Sequence, residues 1–148
     1  MIPRQAIDTY PGTHRPIGTP HAGAHDLASG YNGWDENPHY KKIDGFWREF
    51  FGIGHLSDAL ERAPKTLYKW EEKGFLPAPT FVLNGASKNG RRRLYTRAQI
   101  EGLITIARDT GVLAGSARFI GQTAFPARSA ELFRATYSIL PEPITEWS

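Results

Sequence analysis

The stretch IGHLSDALERAPKTLYKWEEKGFLPAP, Ile53 to Pro79, constrains this chain more than any other. Ile53, Leu56 and Leu60 recur at helical spacing, and Leu67 and Trp70 do so again after a break. The break is Ala63-Pro64, which sets proline in the first turn of a helix, where its missing N–H costs nothing. Gly74 supplies the left-handed residue that closes such helices, and Pro77 and Pro79 prevent resumption. Two short helices joined by a tight turn are therefore expected. Leu67 and Trp70 lie three apart and face inward with Leu56, Leu60 and Leu76. Lys65, Tyr68, Lys69 and Glu72 then fall on the outer face.

The next segment, TFVLNGASKNGRRRLYT, reads as a β-hairpin. Phe81 to Leu83 is apolar and β-prone, Leu94-Tyr95 answers it, and the loop carries the turn dipeptides Asn84-Gly85 and Asn89-Gly90. Alternation sets Arg92 and Leu94 on one face and Arg91, Arg93 and Tyr95 on the other. Leu94 is expected in the core, with Arg91 and Arg93 free and Lys88 at the tip. Thr96-Arg97-Ala98-Gln99 has capping-box spacing, so a third helix starts there, with Ile100, Leu103, Ile104 and Ile106 as its stripe. The fold class expected is mainly α with a small β-hairpin wing. It is a winged helix-turn-helix carrying an extended N-terminal arm and an extra C-terminal helix.

As a set, Ile53, Gly54, Leu56, Thr66, Leu67, Trp70, Glu71, Gly74, Leu76, Pro77, Arg93, Tyr95, Thr96, Ile100 and Leu103 resemble the DNA-binding domain of the MerR family. That domain usually reads I-G-x-[LV]-A…[ST]-x-x-T-L-R-x-[YW]-E-x-x-G-L-[LI]-P…G-x-R-x-Y-[ST], and Ile53 to Pro77 needs no gap against it. The wing is less regular, since G-x-R becomes Arg91-Arg92-Arg93. Trp70 followed by Lys73-Gly74 is more similar to phage excisionases and small terminase subunits that share the module. The resemblance covers about a third of the chain. It implies that helix 64–73 enters the major groove of double-stranded DNA, with the wing 88–93 on the flanking backbone. Arg62, Lys65, Thr66, Tyr68, Lys69, Lys88, Arg91, Arg92 and Arg93 are the candidate contacts. Tyr68 stands where the family usually has arginine, which removes one expected phosphate contact.

Charge agrees with that placement. The net +3 divides into −1 over residues 1–44, +5 over 45–98 and −1 over 99–148, so the positive excess coincides with the helices and hairpin. Without cysteines there are no disulfides and no thiolate metal sites. His21 and His25 are spaced for a metal but lack acidic or thiol company, and no metal or other cofactor is expected. No apolar run approaches membrane-spanning length and the first residues lack a signal-peptide core, so a cytoplasmic location is the expectation (bacterial host cytoplasm for a phage protein). Phosphate-loop, nucleophile-elbow and metalloprotease motifs are absent, and no catalytic residue is assigned.

The flanks are read as an extended Gly/Pro/His-rich arm over 1–43, the DNA-binding domain over 44–110 and a helical extension over 111–148. Residues 1–42 hold five glycines, five prolines and four of the five histidines, too little apolar surface to order alone. Asp44 to Phe51 reads as a short helix with Asp44 as N-cap and an aromatic face of Phe46, Trp47, Phe50 and Phe51. Packing on the helix-turn-helix is favoured for that face over an intermolecular contact. A last helix is expected over Pro126 to Leu140, with Leu132, Phe133, Thr136, Tyr137 and Leu140 as its apolar side. Tyr31, Trp34, Phe46, Trp47, Phe50, Phe133, Tyr137 and Trp147 are the candidate partner contacts. No heptad pattern provides a long dimerisation helix. One winged helix buries only roughly 600–1,000 Å² on DNA, so a homo-oligomer or a second DNA-bound protein is expected to assist. The favoured role is a small phage-type regulatory or excisionase-like factor. The alternatives are a ring-forming small terminase subunit and a structural, virion-like component that keeps the module as a scaffold.

Overall fold

The computed structural model describes residues 16–17, 33–83, 92–113, 119–144 and 146–147, with the backbone course alone at Pro16, Ile17, Arg92, Glu146 and Trp147. Tyr31, Lys88, Arg91, the His21–His25 pair, the two Asn-Gly dipeptides and the side chains of Arg92 and Trp147 lie outside the described residues. Helices α1 (Ile53–Leu60) and α2 (Pro64–Glu72) stand where the periodicity sets them. Glu61 takes the left-handed conformation at φ 56°. Its turn is closed by Arg62 N–H donating to the Ser57 carbonyl at 3.1 Å and by the Ser57 hydroxyl donating to the Arg62 carbonyl. Gly74, at φ 82°, ends α2. Gly74 N–H reaches the Glu71 carbonyl (3.1 Å) and Phe75 N–H the Trp70 carbonyl (2.8 Å), so two end carbonyls are satisfied and the chain is turned away.

A hairpin of β4 (Phe81–Leu83) and β5 (Arg92–Leu94) follows, with Phe81 opposite Leu94 and Val82 opposite Arg93. Tyr95 then exchanges both backbone hydrogen bonds with Phe51, at 2.8 and 2.7 Å. Tyr95, expected to close the base of the hairpin, is buried together with Leu94. Helix α3 (Arg97–Asp109) starts with the expected capping box: the Thr96 hydroxyl accepts from Gln99 N–H and the Gln99 side chain accepts from Thr96 N–H, both at 3.1 Å. Thr96→Ala is expected to lower stability by about 1 kcal/mol, read as a lower urea midpoint at unchanged slope.

Asp44 to Phe51 does not form the expected helix. It is the turn and second strand of a hairpin, β2 (His39–Ile43) with β3 (Phe46–Phe50), paired from His39↔Phe50 to Ile43↔Phe46. Asp44 and Gly45 both have positive φ, 57° and 83°, the backbone a two-residue hairpin turn requires and glycine supplies most cheaply. The aromatics serve this chain's own core: Trp34, Trp47, Phe50 and Phe51 are buried, and Trp34 meets Phe51 edge to face at 4.9 Å. Three of the candidate partner contacts, Trp34, Trp47 and Phe50, are thereby corrected to interior residues. The expected boundary at 43/44 falls inside this hairpin, and the packed chain reaches back at least to Trp34.

After a 3-10 turn at Ile120–Gln122, α4 (Phe125–Ala135) packs on α3. It ends five residues before the expected Leu140. Gly102 marks the closest approach, since a Cβ there would come within 2.7 Å of Leu132 Cδ2. Phe125 and Phe133 enter the core, while Tyr137 lies beyond the helix, 67% exposed. Phe133 is therefore a second correction, from partner contact to core. The tail then runs back along β3, where Ile144 N–H donates to the Trp47 carbonyl (2.8 Å) and Arg48 Nη1 donates to the Pro141 carbonyl (2.6 Å). Strand β6 (Glu146–Trp147) pairs antiparallel with β1 (Pro16–Ile17). With four α-helices and three two-stranded antiparallel sheets among the described residues, the architecture is mixed α/β rather than mainly α. No helix among those residues is long and apolar enough to cross a membrane.

Candidate nucleic-acid interface

Helix α2 buries Leu67 completely and half-buries Trp70, which packs near Arg62 and Phe125. The opposite face carries Lys65, Tyr68, Lys69 and Glu72, all exposed, as the periodicity requires. Arg93 joins this face from the hairpin. Its Nε donates to Glu71 Oε1 at 2.9 Å, its Nη2 to Oε2 at 3.4 Å, and its guanidinium lies 4.6 Å from the centroid of the Tyr68 ring. Arg93, 29% exposed, thus lies beside Tyr68 on the helix face that also carries Lys65 and Lys69. The hydrogen bonds it donates to the Glu71 carboxylate raise the Arg93 pKa further above its ordinary value, so the charge is permanent. Behind it, burial pushes the Tyr95 phenol up as well, with the Glu71 charge adding to the effect, and that hydroxyl has no hydrogen-bond partner among the described residues.

Other cations counted in the basic segment are spent inside the fold. Arg62 points away from the outer face: its Nη2 donates to the Val112 carbonyl (2.5 Å) and its Nη1 to the carbonyls of Leu60 and Glu61, which fastens the inter-helix turn to the end of α3. Arg97 bridges Asp35 (2.9 Å) and Glu49 (3.0 Å), and Arg48 binds the tail. Arg62 is thus corrected from outward contact to structural clamp. Thr66 is half-buried in the first turn of α2, which has Ala63 as its N-cap and begins without a side-chain cap. Glu71 is the residue that sequence reasoning undervalued. In the sequence it belongs only to the motif, yet its place three positions after Tyr68 sets it on the flank of the outer face.

Among the candidate partner contacts, Phe46 (48% exposed) and Tyr137 remain on the surface. Beneath the 33–39 segment, an open cleft of about 480 Å³ includes His39, His55 and Asp58. His55 is held by backbone on both sides: Nδ1 accepts from Gly52 N–H (3.0 Å), so Nε2 carries the proton and donates to the carbonyls of Glu36 and Asn37. No group of three His, Asp or Glu side chains is disposed to hold a metal among the described residues. The arrangement on α2 and β5 offers cationic and hydrogen-bonding chemistry to an anion, with an aromatic face beside it. Comparison with family models, with curated proteins and with solved structures finds no match.

Proposed function

We propose that this protein binds double-stranded DNA through a MerR-like winged helix-turn-helix, with α2 in the major groove and the β4–β5 hairpin as the wing on the adjoining backbone. One observation carries the reading: Arg93 of the hairpin rests on Tyr68 and Glu71 of α2. The exposed lysines Lys65 and Lys69 and the wing arginine therefore approach one surface together. A helix that reads base edges needs such a companion on the phosphates, because phosphate contacts set register while base contacts set sequence. The role is that of a small phage-type regulatory or excisionase-like factor. A ring-forming packaging subunit would need free assembly surfaces. The burial of Phe133 within the chain removes one of those expected.

Arg93→Ala is expected to weaken binding to all duplexes alike and to flatten the slope of log K against log salt by about one unit. It removes a cation and leaves the Glu71 carboxylate facing the phosphates without its partner. Fluorescence anisotropy with a random-sequence duplex at several salt concentrations checks this; a slope identical to that of the unaltered protein takes Arg93 out of the interface. A wild-type protein that binds no duplex at low salt would end the DNA reading in favour of the scaffold.

A further inference from the structure

Arg93 reaches α2 from a strand that is not part of it, and three contacts decide where its guanidinium stands. Glu71 takes Nε and one Nη2 proton, and the Tyr68 ring lies against the guanidinium at 4.6 Å. An arginine has five N–H donors. The remaining three, both on Nη1 among them, have no partner among the described residues, and the side chain is 29% exposed. Tyr68 is 42% exposed. A large, half-exposed aromatic on a cationic face is therefore used as a platform for a charge delivered from elsewhere in the chain.

We propose that Tyr68 and Glu71 are positioning residues that hold Arg93 as a fixed fork for one backbone phosphate, so that wing and second helix meet a duplex at a set spacing. This rests on the DNA-binding reading and deepens it. The planar guanidinium matches phosphate oxygens in pairs. A free arginine surrenders its rotamer freedom when it binds, whereas one already stacked and paired surrendered it on folding. Glu71 offsets part of the positive field, so its contribution is orientation rather than attraction. Tyr68 contributes the second constraint, a face across which the guanidinium cannot tilt without losing the cation–π contact.

The test is a double-mutant cycle on the full chain, with duplex dissociation constants for wild type, Tyr68→Leu, Arg93→Ala and the double variant, and thermal denaturation of each. Tyr68→Leu is expected to weaken binding about two- to fivefold when Arg93 is present and to change nothing in the Arg93→Ala background. Tyr68→Phe keeps the ring and is expected to bind as the wild type does. An equal loss from Tyr68→Leu in both backgrounds overturns the proposal, because Tyr68 then acts on DNA without Arg93. A normal Tyr68→Leu affinity overturns it too. Both outcomes leave DNA binding standing, whereas a wild type that fails to bind removes the broader reading with this one. Tyr68→Met carries the same comparison should the leucine variant not fold.

Discussion

Arg97→Ala is expected to cost about 3–5 kcal/mol of folding stability, the range for removing one partner from a buried ion pair. The guanidinium bridges Asp35, which is fully buried, and Glu49, at 2.9 and 3.0 Å, with Glu101 at 3.7 Å on the outer side. The rings of Trp34 and Phe51 lie 5.6 and 5.2 Å from it. Desolvation works against its charge, and the hydrogen bonds and charges of Glu49 and Asp35 outweigh that, so its pKa is raised. Without Arg97, two carboxylates would be left in a poorly solvated site with no cation between them. Arg97→Lys is expected to recover only part of the loss, since one ammonium cannot fork onto two carboxylates. Urea unfolding followed by tryptophan fluorescence measures both variants. A change below about 1 kcal/mol for Arg97→Ala would mean that the pair is solvated and that the 33–38 segment is not fastened to α3 by it.

The same ion pair explains what the sequence concealed. Alternation along β3 and into Phe51, the residue after it, sets Trp47, Glu49 and Phe51 on one side, and all three are buried. An uninterrupted apolar alternation would have identified a strand, but Glu49 breaks it. Its partner lies 48 residues further on, beyond the reach of any local pattern. Phe46, Trp47, Phe50 and Phe51 meanwhile satisfy a helical spacing, and Asp44 suits an N-cap as well as the Asp-Gly turn of a hairpin. The two helices were legible because their information is local: an apolar period, proline at the start of α2 and glycine after it. The Thr96–Gln99 box was legible for the same reason.

Charge counting was informative only in bulk. It located the basic segment, but Arg48, Arg62 and Arg97 carry the same formal charge as Lys65 and Lys69 while pointing into the fold. Which cations face outward depends on carbonyls and carboxylates supplied by distant elements. The Arg93 contact with Tyr68 and Glu71 is of this kind. Sequence placed Arg93 on the free face of a wing, and the fold brings that face against the second helix.

Phe133→Ala is the complementary experiment at the other end of the chain, and its expected cost is likewise about 3–5 kcal/mol. Phe133 is 4% exposed, edge to face with Tyr95 at 6.3 Å, in the core that also holds Phe51, Leu103 and Phe125. The loss combines the transfer of a large ring with the cavity left between α3 and α4. Tyr137, four residues on and 67% exposed, gives the contrast: Tyr137→Ala is expected to stay within about 0.5 kcal/mol. Concentration dependence separates a core role from an assembly role. A core residue lowers the melting temperature equally at every protein concentration. A residue buried between subunits instead gives a loss that shrinks as the protein is concentrated, because association supplies the missing stability by mass action. Melting Phe133→Ala across a hundredfold dilution, with light scattering on the same samples, tests the assignment. A loss that vanished on concentration, together with a fall in particle mass, would return α4 to the interface and reopen the packaging-ring reading.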